Sequence, residues 1–248
     1  MTSRARIVRI PILPFHMVNA HLIIGQQGAV LVDTGLPGYE RRFEKALRKE
    51  GLSFADITLI VVTHAHFDHA GGAARLRALT GAPILAHEDD AEHYNQQTPM
   101  TFCTTDWFSR LFLRTNMIRR PYTAFIPDIL LSQDEVKDLA PYGIAGRVRS
   151  TPGHTKGSLS LELDSGEAFV GDLVASGVLL GGIARMDHAK RPPFEDDPQR
   201  VGMELRRLVE AGIETFYLGH GGPLPAKEVS RHAQWLGTIR NLSVEEMK

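Results

Sequence analysis

A short segment in the first third of the chain places three histidines and an aspartate within six residues. The segment reads Thr63-His64-Ala65-His66-Phe67-Asp68-His69-Ala70-Gly71-Gly72. An apolar run over residues 57–62 precedes it, and a helical pattern over residues 73–80 follows it. Because imidazole and carboxylate groups are common metal ligands, this strand, loop and helix predict a metal site rather than a polar surface loop.

The spacing within this segment indicates how its ligands divide. His64 and His66 are two residues apart, so an extended chain puts both rings on one side, where they can hold one ion. Asp68 and His69 come after the chain turns, and a turned chain aims them elsewhere. The spacing therefore suggests a second ion beside the first.

Composition narrows the class of protein. The 248 residues are 43% hydrophobic, which is ordinary for a globular protein. The net charge of -1 gives no reason to expect binding to nucleic acid or to an anionic membrane. The single cysteine, Cys103, excludes an internal disulfide and fits a reducing compartment. Since we find neither a signal-peptide core nor an apolar run of membrane-spanning length, we predict a soluble, cytoplasmic protein.

The rest of the chain alternates apolar strands with polar residues that glycine flanks. Strands are predicted at residues 7–12, 18–24, 29–32, 57–62, 83–86, 148–151, 158–163 (half-buried), 167–170 and 215–218, and helices at 37–49, 73–80, after 197 and from about 226. Potential ligands follow several of these strands directly, namely Asp33, His154, Asp172 and His220. Strand-end loops are where such folds place their chemistry, so these four are candidate site residues.

Residues 88–128 follow a different pattern, without strand alternation. Five apolar residues and one threonine recur there at helical spacing, with four arginines mostly off the stripe: Trp107, Phe108, Leu111, Phe112, Thr115 and Ile118, against Arg110, Arg114, Arg119 and Arg120. The favoured interpretation is an amphipathic helix packed on the domain with a solvated basic face. A lid that meets an anionic or apolar substrate and a homodimer contact are the alternatives.

Together the motifs resemble those of the metallo-β-lactamase-fold hydrolases. The resemblance lies in His-x-His-x-Asp-His, a later Pro-Gly-His, a Gly-Asp after a strand and a Gly-His-Gly near the end, in the family order from Asp33 to His220. It implies an α+β fold, an αββα sandwich of two mixed sheets with helices outside. We expect a single domain over residues 1–248, with a helical insertion at about 88–128 as a lid.

The resemblance also implies a dinuclear metal site. In the family pattern the first metal is held by His64, His66 and His154, the second by Asp68, His69 and His220, with Asp172 as the bridge and Asp33 as a supporting residue. Two Zn²⁺ ions are expected, with iron or manganese as alternatives. A hydroxide between the metals would attack a small ester, thioester or lactone. Asp68 would orient this nucleophile and pass a proton to the leaving group.

Several functional alternatives remain open at this level. Asp172 stands where true β-lactamases of the superfamily carry Cys or Ser, so a glyoxalase II-like or lactonase-like hydrolase is favoured, and lactamase chemistry is at most a side activity. Ala175 stands where many lactonases carry tyrosine, which counts against that branch. An iron-dependent persulfide dioxygenase would use only His64, His154 and Asp172. A pseudoenzyme that binds metal for structure is the weakest reading. A small-molecule substrate is the expected partner.

The histidines outside the motifs receive separate interpretations. His188, in the long loop after Asp172, is a candidate substrate contact. His87, His93 and His232 are interpreted as surface residues, and His21 as a packing residue in the second strand.

Overall fold

Two β-sheets of six strands each lie face to face, and helices pack on their outer faces. This arrangement is seen in a computed structural model that describes residues 5–115, 119–178 and 183–239. Both sheets are mixed, because each combines parallel and antiparallel strand pairs. The structure therefore confirms the predicted αββα sandwich.

The first sheet follows the chain order of its strands. These are β1 (Arg6–Pro11), β2 (Asn19–Ile24), β3 (Ala29–Val32), β4 (Ile57–Val61), β5 (Ile84–His87) and β6 (Ile129–Leu131). The second sheet has the order β14-β13-β10-β9-β8-β7, from β7 (Val136–Asp138), β8 (Gly146–Ser150), β9 (Leu159–Leu163), β10 (Glu167–Phe169), β13 (Thr215–Tyr217) and β14 (Leu224–Pro225). A separate small sheet pairs β11 (Ala175–Ser176) with β12 (Ala189–Lys190).

Seven α-helices are present in the described residues. They are α1 (Glu40–Lys49), α2 (Phe67–Ala70), α3 (Ala73–Thr80), α4 (Ala91–Tyr94), α5 (Trp107–Arg114), α6 (Pro198–Glu210) and α7 (Ala226–Leu236). Asp197 caps α6, since its carboxylate accepts the N–H groups of Gln199 and Arg200 at 3.0 Å. In the parts of the chain that the structure describes, no helix has the length and apolarity of a membrane span.

The apolar strands are buried on both faces. In β3, Ala29 and Leu31 pack under the outer helices, whereas Val30 and Val32 face the interior between the sheets. This alternation explains why the sequence shows an unbroken apolar run rather than a period of two. The helices on one side and the second sheet on the other hold the strands in place, so the strand ends form a rigid edge.

Two local predictions differ from the structure. The predicted helix from Pro37 begins only at Glu40, because Gly38 has a φ of 85° and interrupts the helical backbone. The predicted half-buried strand at 158–163 is fully buried in β9. Glu162 on its polar face is covered by Arg149 and Arg207, whose nitrogens lie 3.1 and 3.0 Å from its carboxylate.

Helix α5 has a different inward face from the predicted stripe. Trp107 is 75% exposed and Leu111 is 53% exposed, so these two side chains are largely exposed rather than buried against the domain as expected. The helix buries Ser109 instead, since Ser109 and Asp106 form a capping box that fixes the helix start. Phe112 reaches the ring of Phe194 at a centroid distance of 6.3 Å. The predicted stripe residue Ile118 lies outside the described residues.

Two histidines that were interpreted as surface residues are buried. His87 ends strand β5, and its Nδ1 accepts the N–H of Asp89. His232 lies on the inner face of α7, with its ring 5.4 Å from that of Trp235. His93 is half-buried. The packing role of His21 is confirmed, because its buried ring makes edge contacts with Phe169 and Tyr217.

The burial of His232 predicts a pH dependence of stability. Burial lowers the pKa of this imidazole from 6.5 to about 4. The folded state thus favours the neutral ring, so stability is complete above about pH 6.5 and is lost as pH falls towards 4, by at most about 1.4 kcal/mol per pH unit. In His232→Phe, the free energy of unfolding of the metal-free protein should fall less steeply over this range. Urea titrations at a series of pH values measure the slope, and equal slopes would contradict the assignment.

Candidate metal centre

Four strand ends bring the candidate ligands to one edge of the sandwich. The loop after β4 carries His64 and His66, and the short helix α2 directly after it carries Asp68 and His69. The loops after β8, β10 and β13 supply the remaining three ligands, which are His154, Asp172 and His220. Their donor atoms form two groups, and the atoms of each group lie within 4.8 Å of one another.

The first group consists of three imidazoles and the carboxylate of Asp172. His64 Nε2 lies 3.0 Å from His66 Nδ1, and His154 Nε2 lies 3.2 and 3.1 Å from these two atoms. Two donors on a tetrahedral zinc ion are about 3.3 Å apart, because each bond is about 2.0 Å long. The three nitrogens therefore have the mutual spacing of ligands around one ion.

The second group consists of Asp68, His69 and His220. Asp68 Oδ2 lies 3.5 Å from His220 Nε2 and 3.9 Å from His69 Nε2. Asp172 joins the two groups: its Oδ1 is 3.4 Å from His69 Nε2, and its Oδ2 is 3.0 Å from His220 Nε2 and 3.8 Å from His154 Nε2. Its carboxylate thus lies where one residue can contact both groups.

Unpaired buried atoms support the presence of a cation. His69 Nε2 and Asp172 Oδ1 have no hydrogen-bond partner although both are buried. In the first group, three imidazole nitrogens converge, and no arrangement of protons lets each of them bond to both others. Buried polar atoms normally have partners, so the donor set fits a divalent metal better than it fits a protein-only network.

Residues behind the ligands fix which nitrogen faces the site. Asp33 accepts the Nδ1–H of His69 at 2.8 Å, and it also accepts the N–H and hydroxyl of Thr63 at 2.8 and 2.9 Å. Thr63 Oγ1 in turn lies 3.0 Å from His64 Nδ1, and the backbone carbonyl of Met17 accepts from His220 Nδ1. These contacts leave the Nε2 lone pairs of the three histidines free for a metal. Asp33 is outside both donor groups, so the geometry places it as a supporting residue.

Electrostatics differ between the two groups. Burial lowers the pKa of His64 and His66 and brings that of His154 to about 4. Burial also opposes protonation of His69, but Asp172 and Asp33 outweigh it and raise the pKa of His69 to about 10. Because ligand imidazoles must be neutral, the first group is ready to bind metal at neutral pH, whereas a metal must displace a proton from His69 in the second.

The ligands line a cavity of about 470 Å³ with mainly apolar walls. Its metal-facing side includes His66, Asp68, His154, Asp172 and His220. The other described residues that line the cavity include Leu36, Phe67, Phe112, Phe194 and one cation, Arg120. The cavity therefore offers apolar contacts and a single positive charge to a molecule that reaches the ligands.

The proposed substrate contact His188 is not among the described residues that line this cavity. Its side chain is exposed and lies close enough to Glu228, on α7, to lower the pKa of that carboxyl. The loop that carries His188 returns to α7 through β12, which explains this placement.

Asp90 is a functional residue that the sequence analysis did not identify. Its buried carboxylate accepts the N–H of Ala65, between the ligands His64 and His66, at 2.9 Å. It also accepts the hydroxyl of Thr155 and the N–H of Gly157, both at 3.2 Å, in the loop that follows His154. Asp90 thus ties together the two loops that carry the first donor group. It follows β5 just as the other site residues follow their strands, and this position was the available signal.

Replacement of Asp90 by Ala should loosen the first donor group. Two buried N–H groups and a hydroxyl would lose their acceptor, so we expect the free energy of unfolding to fall by about 3 kcal/mol. Zinc affinity should fall roughly 10–100-fold, as for other residues that orient ligands. Denaturant titration and competition with a zinc chelator measure the two effects. Asp90→Asn should recover part of both, the exposed Glu88→Ala is the control, and unchanged zinc affinity in Asp90→Ala would refute the role.

Facing mixed sheets with clustered His and Asp donors at a cavity are the features of a metal-dependent hydrolase. The family model of the metallo-beta-lactamase superfamily matches residues 13–220 of the chain. The chain therefore belongs to the metallo-beta-lactamase superfamily, and it is a metal-dependent hydrolase.

Individual relatives agree with this membership. The chain is 28% identical over 205 residues to the probable metallo-hydrolase MJ0888 of Methanocaldococcus jannaschii, covering 82% of this chain and 87% of the relative. It is 26% identical over 238 residues to the human acyl-coenzyme A thioesterase MBLAC2, covering 87% and 77%. The solved structure of ST1585 from Sulfolobus tokodaii, an archaeal member of the superfamily, matches with a TM-score of 0.64 at 19% identity, covering 96% and 88%. This last similarity concerns the fold.

Proposed function

We propose that the protein is a dinuclear zinc hydrolase that cleaves a small ester, thioester or lactone with an apolar acyl group. The observation that carries the proposal is the position of the Asp172 carboxylate. It lies within 4 Å of His154 in the first group and of His69 and His220 in the second. A carboxylate shared by two complete donor groups is what a two-metal site requires.

The apolar walls support the substrate class. Phe67, Phe112 and Phe194 line the cavity and pack in one apolar cluster beside the ligands. An acyl chain would gain about 25 cal/mol for each Å² of apolar surface that it buries there. The names of relatives agree, since MBLAC2 is an acyl-coenzyme A thioesterase and a relative in Pseudomonas putida is a hydroxyacylglutathione hydrolase. A small acyl compound therefore suits the cavity better than a polymer does.

The proposed mechanism assigns a role to each polar group. Zinc at such a site supplies Lewis acidity and lowers the pKa of water. Asp68 faces the cavity, and its Oδ2 is close to both His69 and His220, so it is placed to orient a water molecule and accept its proton. The same carboxyl can return that proton to the departing oxygen or sulfur. Asp33 and Thr63 keep the imidazoles oriented throughout.

The second donor group favours hydrolysis over the iron-dependent dioxygenase reading. A mononuclear iron site would need only His64, His154 and Asp172. Here His69 and His220 are buried, oriented by Asp33 and by a backbone carbonyl, and grouped with the carboxylate of Asp68. Two buried and oriented imidazoles are needed to hold a second metal, whereas a mononuclear iron site does not need them.

A panel of substrates tests the proposed reaction. The zinc-loaded protein is assayed with hexanoyl esters, a hexanoyl thioester, γ-decalactone and bis-p-nitrophenyl phosphate. We expect turnover of carbonyl substrates that exceeds phosphodiester turnover, and a sharp loss in Asp68→Asn at unchanged zinc content. Absence of carbonyl hydrolysis, or oxygen uptake with a persulfide by the iron-loaded protein, would overturn the proposal.

A further inference from the structure

One wall of the metal cavity belongs to an unusually basic segment. No acidic residue occurs between Asp106 and Asp128, although the whole chain carries a net charge of -1. Four arginines lie in this interval, at positions 110, 114, 119 and 120, and all four are exposed. The segment therefore concentrates positive charge beside the site in a chain that is otherwise balanced.

These arginines differ from most others in the protein. Nine arginines elsewhere in the described residues pair with carboxylates, as in Arg147 with Asp164 at 2.6 Å and Arg191 with Glu195 at 2.6 Å. Across the described ranges, no carboxylate lies within salt-bridge distance of the four arginines of the segment. Their charges are thus available to a ligand.

The arginines form a path that leads away from the metal ligands. Arg120 lines the metal cavity and also an adjoining cavity of about 560 Å³, which shares Phe67 and Pro121 with the first. Arg119 lines that second cavity and a third hollow, which also borders Arg110 and Arg114. A molecule whose acyl end reaches the metal ligands can therefore extend over Arg120 and Arg119 towards the outer pair.

We propose that the substrate is a thioester of a polyanionic thiol carrier, and that Arg119 and Arg120 bind the anionic groups of this leaving group. This proposal rests on the function proposed above. Guanidinium groups bind phosphate and carboxylate oxygens through paired N–H donors. Arg119 and Arg120 can therefore bind the anionic groups of a substrate that lies along this wall. Apolar side chains hold the acyl part, and the arginines select the carrier.

The reaction balances without a further co-reactant. Water forms a new carbon–oxygen bond to the acyl carbon, and the carbon–sulfur bond breaks. Asp68 receives a proton from the water and returns it to the thiolate. The products are a carboxylic acid and a free thiol carrier, so the same assay measures released thiol for every substrate.

Three thioesters that share the hexanoyl group but differ in the charge of their thiol part show which anionic groups the protein recognises. Hexanoyl-coenzyme A carries phosphates, S-hexanoylglutathione carries carboxylates, and S-hexanoyl-N-acetylcysteamine is neutral. We expect kcat/KM to be higher for an anionic thioester than for the neutral one. In the double variant Arg119→Gln, Arg120→Gln, this ratio should fall by about tenfold, mainly through KM, because two exposed charge-assisted contacts are lost. Arg75→Gln, an exposed arginine of α3 outside the cavities, should leave the ratio within about twofold.

A binding measurement tests the arginines independently of turnover. The thioethers S-hexyl-coenzyme A and S-hexylglutathione resist hydrolysis, and calorimetry gives their dissociation constants. We expect the tighter of the two to weaken by about tenfold in the double variant and at high salt. If neither thioether binds the wild type, or if the double variant binds both thioethers as tightly as the wild type does, the inference is wrong. Hydrolysis of the neutral thioester together with that result would leave the hydrolase function intact and remove only the anionic carrier.

Discussion

Asp172→Ala is expected to lower hydrolysis at least about a thousandfold, a loss of roughly 4 kcal/mol of transition-state stabilisation. The carboxylate of Asp172 lies near donors of both groups, at 3.8 Å from His154 Nε2 in the first and 3.0 Å from His220 Nε2 and 3.4 Å from His69 Nε2 in the second. Without it, the second group keeps a single carboxylate, Asp68. We therefore expect the variant to retain about half of the wild-type zinc.

The matched control for this change is Asp164→Ala. Asp164 is an exposed carboxylate that pairs with Arg147 at 2.6 Å, outside the cavity. Its loss should leave both activity and zinc content near the wild-type values. Equal turnover in Asp172→Ala and Asp164→Ala would show that no reaction depends on the shared carboxylate.

Removal of metal is expected to destabilise the fold as well as to stop turnover. Seven buried or nearly buried donors converge at the edge of the sandwich, and in the metal-free protein their charges and lone pairs face one another. A ligand present at about 1,000 times its dissociation constant stabilises the folded state by about 4 kcal/mol. For a chain of this length, we expect dialysis against a chelator to lower Tm by roughly 8–16 °C.

Restoration of zinc should reverse both effects. A Tm that returns with stoichiometric zinc, together with activity, would tie stability to the donor groups. A Tm that does not change on chelation would mean that the converging imidazoles hold no metal in the folded protein. The same Tm measurement on Asp90→Ala, compared with the wild type, then shows how much of the Tm shift depends on metal bound to the first group.

The strands of the first sheet could be predicted from the sequence because a strand buried on both faces is an unbroken run of apolar residues. Strands such as Ile57–Val61 must be apolar throughout, and the residues that follow them lie at one edge of the fold. That rule led to the positions where His64, His154 and His220 lie. The roles of these three histidines as metal ligands are part of the proposed function. The αββα sandwich was expected from the family resemblance, and the structure confirms it.

What the sequence did not predict depends on contacts between distant segments. His232 looked like a surface residue of the last helix, because nothing nearby in the chain shows that α6 packs against α7. The inward face of α5 includes Ser109, which is buried and forms a capping box with Asp106, and the apolar stripe in the sequence gives no sign of this. Asp90 acts on loops 25 and 65 residues away, so its role is visible only in three dimensions.

Several expectations stay predictions, namely the single domain over residues 1–248, its lid at about 88–128, the homodimer and the cytoplasmic location. The exposed side chains of Trp107 and Leu111 form an apolar surface that could be tested as the homodimer contact. Light scattering of Leu111→Glu beside the wild type would show whether that face joins two copies.

Metal content per chain tests the central claim most directly. The protein is purified without chelator or affinity metal and measured by elemental mass spectrometry, beside Asp172→Ala. The account predicts about two zinc ions per chain in the wild type and about one in the variant. One iron per chain, or less than half an equivalent of any metal after reconstitution, would contradict the dinuclear zinc site.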